Sequence, residues 1–512
     1  MNQPVHGDQK SSSRTSQYAT LIAALLGWMF DGFEMGLFPL IGQQAIQDLL
    51  GPDAPPDAAG KWFGAIIAVF LVGAATGGVL FGWLGDKIGR VRAMSLSIFT
   101  YAIFTGVCGF ATEAWHIAVL RFIASLGMGG EWSLGVALVN EIWPGKSRAF
   151  IAGLIGSASN VGFLLVALLS MGLSGFIEVV HSALLSIGVS EDTSKSLLAN
   201  SAWRFLMISG AGPALLIFFI RLFVPESSKW EEEKSRGATS NWQNEDLLGV
   251  LIGCLMAILI IVVWSPAAAG VIGPIVASIV TVVGLVVVLV GYLYPVRRYL
   301  ARSIADGSLP AEKQSTVIRS MLLGASLAGV ALLGTWGSIQ WAPRWAAELQ
   351  PDTPEMKYFA KEKTQMALAI GAIVGTIVAA VVAGAIGRRI SYSIMCIGSV
   401  LSALYFYNGC SEFGNQFLIA AVLAGALTAS FYGFFPLYFP ELFPTAVRAT
   451  GQGFSFNFGR IVAAVGGLQT STLMAAFGGS FPKAGSVMAS IYLLGVFIIW
   501  LGPETKNQAL PE

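Results

Sequence analysis

The chain has 512 residues, of which 55% are hydrophobic and only 12% are charged, and its formal net charge is +1. A soluble core of this size could not hide so much apolar surface, so the composition predicts an all-α membrane protein with many spans. The near-neutral charge does not support a nucleic-acid partner. Its four cysteines lie in apolar stretches and its three histidines are scattered, so we expect no disulfide framework, no metal site and no cofactor.

Apolar runs of about 20 residues match the thickness of a bilayer core. Fourteen such runs are predicted, six in each of two halves and two between them. They lie at about 19–41, 62–84, 93–111, 115–140, 148–173, 203–223, 248–265, 271–293, 317–341, 365–386, 390–410, 414–439, 449–476 and 484–502. The predicted division of the chain is a tail at 1–18, a half at 19–230, a central segment at 231–316, a half at 317–502 and a tail at 503–512.

Lysine and arginine are unevenly distributed between the two sets of loops. A cytoplasmic N-terminus would place nearly three times as many of them on the cytoplasmic side as outside. Because positive residues favour the cytoplasmic side, we expect a protein of the cell membrane with both termini in the cytoplasm. The first run is followed by no small-residue cleavage site, so the N-terminal tail is predicted to be retained.

The chain contains an internal repeat. The segment at 141–149 reads Glu-Ile-Trp-Pro-Gly-Lys-Ser-Arg-Ala, and the segment at 441–449 reads Glu-Leu-Phe-Pro-Thr-Ala-Val-Arg-Ala. Two shorter echoes occur in the same order: Gly-Arg at 89 and 387, and Pro-Glu-Ser or Pro-Glu-Thr at 225 and 503. Two similar membrane halves imply a pseudo-twofold axis along the membrane normal with a site between the halves. The central pair at about 248–293 lies outside this repeat and is predicted to pack outside both halves.

The middle of the first run contains two acidic residues, Asp31 and Glu34. Their spacing of three places them on neighbouring positions of one helix face. A charged group at this depth costs about 2.5–3.5 kcal/mol or more, so both must face water, each other or a cation. Burial and mutual repulsion favour protonation, which a proton-coupled carrier requires. The alternative is a structural pair with Arg121 or Arg460.

The fourth run carries Arg121 and Glu131 with glycines between them. Arg121 could bind a substrate anion or pair with Asp31, and Glu131 is the next candidate for proton coupling. The run at 449–476 carries Arg460, whose counterpart 300 residues earlier is Asn160. A site between the halves would therefore be asymmetric in charge.

Further polar and aromatic side chains could line such a site, although each is also a plausible packing residue. They are Trp336, Gln340, Tyr432 and Asn457.

The loop after the second run reads Gly-Trp-Leu-Gly-Asp-Lys-Ile-Gly-Arg-Val-Arg at 82–92. It resembles the signature loop of the major facilitator superfamily, and the Pro-Glu-Ser and Pro-Glu-Thr segments resemble loops of its sugar-porter branch. The resemblance covers nearly the whole chain and implies a cytoplasmic latch. The residues it assigns to that latch are Asp86, Arg90, Arg148, Glu141, Glu441 and Arg448. Ser125 departs from the fourth-span pattern, which has Gly at that position.

Three features of the chain resemble the sialate:proton symporters. They are Asp-Gly-Phe-Glu in the first run, Gly-Gly-Glu-Trp in the fourth run and the extra central pair. The segment at 440–453 is more similar to the aromatic-acid and metabolite:proton symporters. These resemblances imply proton-coupled uptake of a small organic anion, a carboxylate or an acidic sugar such as a sialic acid. The partners they imply are that anion, protons and the lipid bilayer, with the monomer as the functional unit.

Two other functions stay open. A neutral-sugar proton symporter would suit the sugar-porter loops, but it would leave the cation Arg460 without a partner. A non-transporting membrane nutrient sensor would need a large soluble output domain, and the polar segments of this chain are short. An enzyme is not expected, because no nucleophile triad, metal cluster or phosphate-binding loop is present in the sequence.

Overall fold

The structure is a computed structural model that describes residues 14–55, 58–143, 147–264, 271–350, 359–468, 473–474 and 476–511. Every regular element within these residues is helical, which confirms the predicted all-α class. Thirteen helical segments are long and apolar enough to cross a membrane. Helix α18 at Arg448–Leu468 occupies the position of the predicted 449–476 run, which extends past the described residues. The structure is therefore consistent with fourteen spans.

The N-terminal half comprises eight helices. They are α1 (Arg14–Leu50), α2 (Ala58–Ile88), α3 (Arg90–Cys108), α4 (Ala114–Ile142), α5 (Arg148–Met171), α6 (Leu173–Ser186), α7 (Glu191–Ser209) and α8 (Leu216–Phe223). The sixth span combines α7 and α8 and is interrupted by non-helical backbone at residues 199–202 and by a 3₁₀ turn at Gly212–Leu215, which contains Pro213. The short helix α6 is absent from the predicted spans.

The central segment contains α9 (Ser228–Ser235), α10 (Leu247–Val263) and α11 (Pro274–Ala305). Helices α10 and α11 pack closely because glycines face each other: a Cβ built on Gly291 would lie 2.5 Å from the carbonyl oxygen of Gly249. The pair lies beside α2, where the buried hydroxyls of Thr76 and Tyr292 are 2.7 Å apart. The predicted connection at 265–270 lies outside the described residues.

Nine α-helices of the C-terminal half lie fully within the described residues. They are α12 (Glu312–Gly337), α13 (Ala342–Glu348), α14 (Ala360–Ile386), α15 (Arg388–Gly409), α16 (Asn415–Thr428), α17 (Phe431–Tyr438), α18 (Arg448–Leu468), α19 (Phe481–Ala489) and α20 (Tyr492–Ile498). The two halves meet where α2 packs on α18 and α5 packs on α14. When the spans are counted without the central pair, these are the second with the eleventh and the fifth with the eighth. A pseudo-twofold axis exchanges the two contacts.

The repeated Gly-Arg pairs have the same local conformation. Gly89 has φ 112° and Gly387 has φ 102°, values that favour glycine. Each glycine separates one long helix from the next, so the following arginine begins α3 or α15 at the same face of the molecule. The predicted repeat is therefore visible in the backbone as well as in the sequence.

Candidate functional site

A cavity lies between the two halves. Helices α1 and α5 line it from the N-terminal half, and α12, α14, α16, α17 and α18 line it from the C-terminal half. Its volume is about 90 Å³, which suits a small solute. Neither α10 nor α11 contributes a residue to its lining.

Arg460 is the charged residue of this lining. It is 4% exposed and lies about a dozen residues into α18. One guanidinium nitrogen, Nη1, donates to Oδ1 of Asn457 at 2.8 Å. The amide of Asn457 in turn donates to the carbonyl of Gly129 on α4 at 3.1 Å. Asn457 therefore holds the arginine and ties it to the other half, while Arg460 forms no ion pair with any other described residue.

Aromatic rings surround Arg460. Its guanidinium carbon is 5.4 Å from the ring centre of Phe456. That ring stacks on Trp132 at 4.1 Å and meets Tyr432 edge-on at 6.3 Å. Trp28 and Trp336 also line the cavity. The lining thus combines aromatic rings, amide and hydroxyl side chains and one cation.

Asn160 and Gln340 line the same cavity, as do residues that the sequence did not single out. Those residues include Trp28, Ser159, Gln365 and Thr428. Trp28 precedes Asp31 by three residues, which places both on neighbouring positions of one helix face. That spacing is a signal that could have identified it.

Asp31 and Glu131 form a buried pair of carboxylates. Asp31 is fully buried and Glu131 is 3% exposed. The Glu131 carboxylate lies so close to α1 that a Cβ on Gly27 would overlap it. None of the four oxygens of the pair has a hydrogen-bond partner within the described part of the chain. The charges that act on Asp31 are mainly those of Glu131 and Arg460.

Glu34 and Arg121 are placed together, away from the cavity lining. Arg121 donates from Nη1 to Oε1 of Glu34 in a buried ion pair. Thr105 donates to the same oxygen at 3.3 Å, and the guanidinium lies over Phe38 and Phe70 at 4.5 and 4.6 Å. For Glu34, this ion pair corresponds to the alternative that the sequence left open, a structural pair with Arg121. Of the two predicted cavity arginines, only Arg460 lines the cavity.

The predicted latch residues come together at one face of the bundle, which we call the latch face. Within the N-terminal half, Arg90 donates to Asp86 at 2.6 Å and to Glu141 at 3.3 Å. Within the C-terminal half, Arg388 donates to both oxygens of Glu441, at 3.0 and 2.7 Å. The sequence had not assigned Arg388 a role, although its Gly-Arg echo matches Arg90.

Two further ion pairs cross between the halves. Arg148 of the N-terminal half donates to Glu441 at 2.9 Å. Arg448 of the C-terminal half donates to Glu141 at 2.8 Å. Each glutamate thus binds one arginine of its own half and one of the other. The crossed pairs join the two halves at the latch face.

Asp86 adds a contact that the other half lacks. Its carboxylate accepts hydrogen bonds from the backbone N–H groups of Ala449 and Thr450 at 3.2 and 2.8 Å. It also accepts one from the Thr450 hydroxyl at 2.6 Å. Asp86 therefore caps the N-terminus of α18, where a negative charge is favourable.

The segment 503–511 lies against the latch. Thr505 donates to Glu441 at 2.6 Å, and the carbonyl of Pro511 accepts from Arg448 at 2.6 Å. Burial tends to raise the pKa of Glu504, but backbone N–H groups of Arg388, Arg389 and Lys506 donate to its carboxylate and hold its pKa below the usual value. At the other end of the described chain, Tyr18 packs edge-on against Trp143. Both ends of the described chain therefore lie at the latch face.

The part of the repeated loop at 144–146 and the first part of the predicted tail at 1–13 lie outside the described residues.

The sequence and the fold both match known transporters. A family model described as "Sugar (and other) transporter" matches residues 17–245. The niacin transporter NiaP of Acinetobacter baylyi is 23% identical over 96% of this chain and 95% of its own length. The sialic acid transporter NanX of Escherichia coli is 30% identical over 43% of this chain and 46% of its own.

Among solved structures, the proton:xylose symporter XylE bound to 6-bromo-6-deoxy-D-glucose superposes with a TM-score of 0.65. It is 17% identical and covers 97% of this chain and 98% of its own, and this likeness shows the fold.

Two related halves of six spans each meet at the latch face and enclose a small cavity, an arrangement typical of membrane transporters. The chain has the fold of the major facilitator superfamily, and its sequence matches are to sugar and metabolite transporters. Its fold and its sequence matches are those of transporters and not of enzymes.

Proposed function

We propose that this carrier takes up a small, flat organic anion together with protons, with the latch face in the cytoplasm. Arg460 supports this proposal more than any other residue. A buried cation in a membrane cavity is costly unless an anion neutralises it. A neutral solute would leave that cost in place, whereas a carboxylate would remove it and could bind the planar guanidinium through two hydrogen bonds.

The cavity wall favours an aromatic or unsaturated carboxylate over a polyhydroxylated acid. Trp28, Trp336, Tyr432 and Phe456 line the cavity, and aromatic side chains pack well on a flat ring. A sugar acid is bulkier, and the amide and hydroxyl side chains of the lining would have to pair with all of its hydroxyls within this small volume. The small volume of the cavity also favours a compact solute. The full-length similarity to a niacin transporter supports the same class of substrate.

Proton coupling is assigned to Asp31 and Glu131, with Glu34 committed to Arg121. Two adjacent buried carboxylates repel each other when both are ionised, so the pair retains at least one proton. The charges of Asp31 and Arg460 attract each other. An anion that binds Arg460 neutralises the positive charge of the guanidinium group. Asp31 then loses the cation that favoured its ionised form. Asp31 takes up a proton, so substrate and proton cross together.

The latch controls access to the site. Buried ion pairs gain little net free energy, because removing both charges from water offsets much of their attraction. A closed latch built from such pairs is therefore only slightly favoured over an open one. Substrate binding in the cavity can shift that balance, as alternating access requires.

Uptake into proteoliposomes tests the proposal. The purified protein would be reconstituted with an inward proton gradient and offered nicotinate, benzoate, a sialic acid and xylose separately. We expect accumulation of one or both aromatic acids, which is lost when an uncoupler collapses the gradient. Accumulation of xylose alone would contradict an anionic substrate. Gradient-independent uptake of nicotinate or benzoate would contradict proton coupling.

A further inference from the structure

One buried amide connects the cation of the cavity with the other half of the molecule. Asn457 is fully buried on α18. It lies about one helical turn from Arg460, on the side of the latch face, where α18 begins. Among the described residues, the cavity lining includes Arg460 but not Asn457. A solute in the cavity would meet Arg460, so Asn457 can act on that solute only through the arginine.

Three hydrogen bonds fix the orientation of this amide. Its nitrogen donates to the carbonyl of Gly453 on the same helix at 2.9 Å and to the carbonyl of Gly129 on α4 at 3.1 Å. Its oxygen accepts from Nη1 of Arg460 at 2.8 Å. The reversed orientation would set the oxygen against two carbonyl oxygens and the nitrogen against the guanidinium, so each end of the amide is committed to its partners.

Glycines at the interface make the contact between the halves possible. A Cβ built on Gly78 of α2 would lie 2.1 Å from the amide nitrogen of Asn457, and a Cβ built on Gly453 would lie 2.3 Å from the carbonyl oxygen of Gly78. A larger side chain at either position would push α18 away from the N-terminal half. The close packing of α18 on that half therefore brings the amide to Gly129.

A second amide crosses the same interface without contacting the cation. Gln452 is also fully buried on α18 and donates from Nε2 to the carbonyl of Ser133, one turn beyond Gly129 on α4. It lies about 12 Å along the helix from Arg460, and its oxygen has no hydrogen-bond partner among the described residues. Both amides thus bind α4 across the halves, but Gln452 lacks the bond to Arg460 that Asn457 makes.

We propose that Asn457 is a positioning residue that makes the affinity of Arg460 for the transported acid depend on the contact between the two halves. While α18 packs on α4, Gly129 holds the amide, and the amide oxygen holds the guanidinium with its other N–H groups available to an anion in the cavity. This inference rests on the proposed binding of the acid by Arg460.

The consequence concerns release of the acid. When the halves part at the latch face, α18 moves away from α4 and the bond from Asn457 to Gly129 is lost. The amide can then rotate, and Arg460 loses its aligned acceptor. An arginine that must be ordered again on binding holds its anion less tightly. The acid therefore dissociates more readily on the side toward which the latch opens.

Calorimetry with nicotinate tests the positioning of Arg460. Asn457→Leu removes the amide but keeps its approximate size, and we expect the Kd to rise about tenfold, because the guanidinium is no longer held in place. Gln452→Met is the matched control, because it removes the other amide from the same interface, and its Kd should stay within about twofold of the wild-type value. If Asn457→Leu does not fold, Asn457→Ala serves the same purpose.

Transport from each face tests the dependence on the halves. Right-side-out and inside-out membrane vesicles, with equal pH on both sides, give the KM of nicotinate at the outer face and at the latch face. In the wild type, we expect the KM to be several-fold higher at the latch face. Asn457→Leu should raise the outer KM and bring the two values together, whereas Gln452→Met should retain the difference. A purely structural effect of losing a bond between the halves would act alike in both variants.

Arg460→Gln separates the failure of this inference from the failure of the proposed site. If Arg460→Gln weakens binding of nicotinate, the site is supported. Equal KM values at the two faces of the wild type, or an unchanged Kd in Asn457→Leu, would then overturn the role of Asn457 alone. If Arg460→Gln binds nicotinate as tightly as the wild type, or if the wild type binds neither nicotinate nor benzoate, both the proposed site and this inference are overturned.

Discussion

The two halves of this carrier share a latch but differ in their interiors. At the latch face, Arg90 binds Glu141 and Arg388 binds Glu441, so the same arginine and glutamate recur. Within the membrane, the N-terminal half buries Asp31 and Glu131, whereas the C-terminal half contributes Arg460 to the cavity. The repeated residues thus form matching ion pairs at the latch face, whereas the two halves bury different charged residues near the cavity.

The crossed pairs explain why the latch kept its symmetry. Arg148 binds Glu441 and Arg448 binds Glu141, so the interface is self-complementary in the manner of a twofold dimer. A change in one copy of the repeated loop would weaken a contact to the other copy. The exception is Asp86. When the two Gly-Arg pairs are aligned, the residue that corresponds to Asp86 is Gly384.

The largest expected effect comes from removing the charge that makes the interior asymmetric. We expect Arg460→Gln to weaken binding of the transported acid by about 2–4 kcal/mol, or roughly 30- to 1000-fold in Kd. Arg460→Lys should also weaken binding, because an ammonium group cannot offer the same planar pair of donors. Calorimetry on purified protein measures both, with Arg344→Gln at an exposed position as the control. Unchanged affinity in Arg460→Gln would show that the site lies elsewhere.

The next effect separates the two acidic residues of α1. Asp31→Asn should abolish accumulation driven by the proton gradient and leave exchange of substrate between the two sides largely intact. Glu34→Gln should instead lower the melting temperature, because it leaves Arg121 buried without its anion. Uptake, counterflow and thermal unfolding distinguish these outcomes. Accumulation that survives Asp31→Asn and Glu131→Gln, singly and together, would place proton coupling elsewhere.

A moderate effect is expected at the latch. Arg148→Ala and Asp86→Asn should slow the transport cycle several-fold while substrate affinity stays within about twofold, because neither residue reaches the cavity. The symmetry predicts that Arg448→Ala behaves like Arg148→Ala. Stopped-flow uptake and calorimetry measure the two quantities.

A double-mutant cycle provides the control for the latch. The double variant Glu141→Gln with Arg448→Gln should slow transport by less than the product of the two single effects. If the two effects multiply, the crossed pair does not act as a pair.

The smallest effect concerns the pH dependence of Glu504. Its pKa is lower in the folded protein than in the unfolded chain, so its contribution to stability is present above the unfolded value of about 4.3. That contribution is lost as the pH falls through the folded value. Glu504→Gln should lower the melting temperature slightly at pH 7, and the difference from wild type should shrink in acid. The exposed Glu412→Gln is the control, and an equal decrease for both variants would contradict the role of Glu504.

The sequence predicts much of the latch, because a repeated sequence pattern indicates a repeated structure. The match between 141–149 and 441–449 pointed to Glu141, Glu441, Arg148 and Arg448. It could not show that the arginines bind across the halves, since that depends on how two separate bundles dock. Arg388 was in the Gly-Arg echo but was not assigned a role, because the echo does not show that its side chain reaches Glu441 within the same half.

The interior was harder to predict, because helix rotation decides which buried charges meet. Asp31 and Glu34 are three residues apart, yet one lies beside Glu131 and the other binds Arg121. The sequence left both partners open. Helix α6 was not predicted because its apolar stretch is shorter than a span. The break in α7 at residues 199–202 was not predicted because these residues include no proline or glycine.

The burial of the four cysteines makes this protein suited to optical measurement. Cys108, Cys254, Cys396 and Cys410 are all buried, so thiol reagents added to the folded protein should react slowly with them. A single Gln508→Cys substitution would then take up a fluorophore selectively. Gln508 lies close to Arg148, which approaches its carbonyl oxygen at 3.5 Å. The emission of such a label would report each opening of the latch in a native-cysteine background.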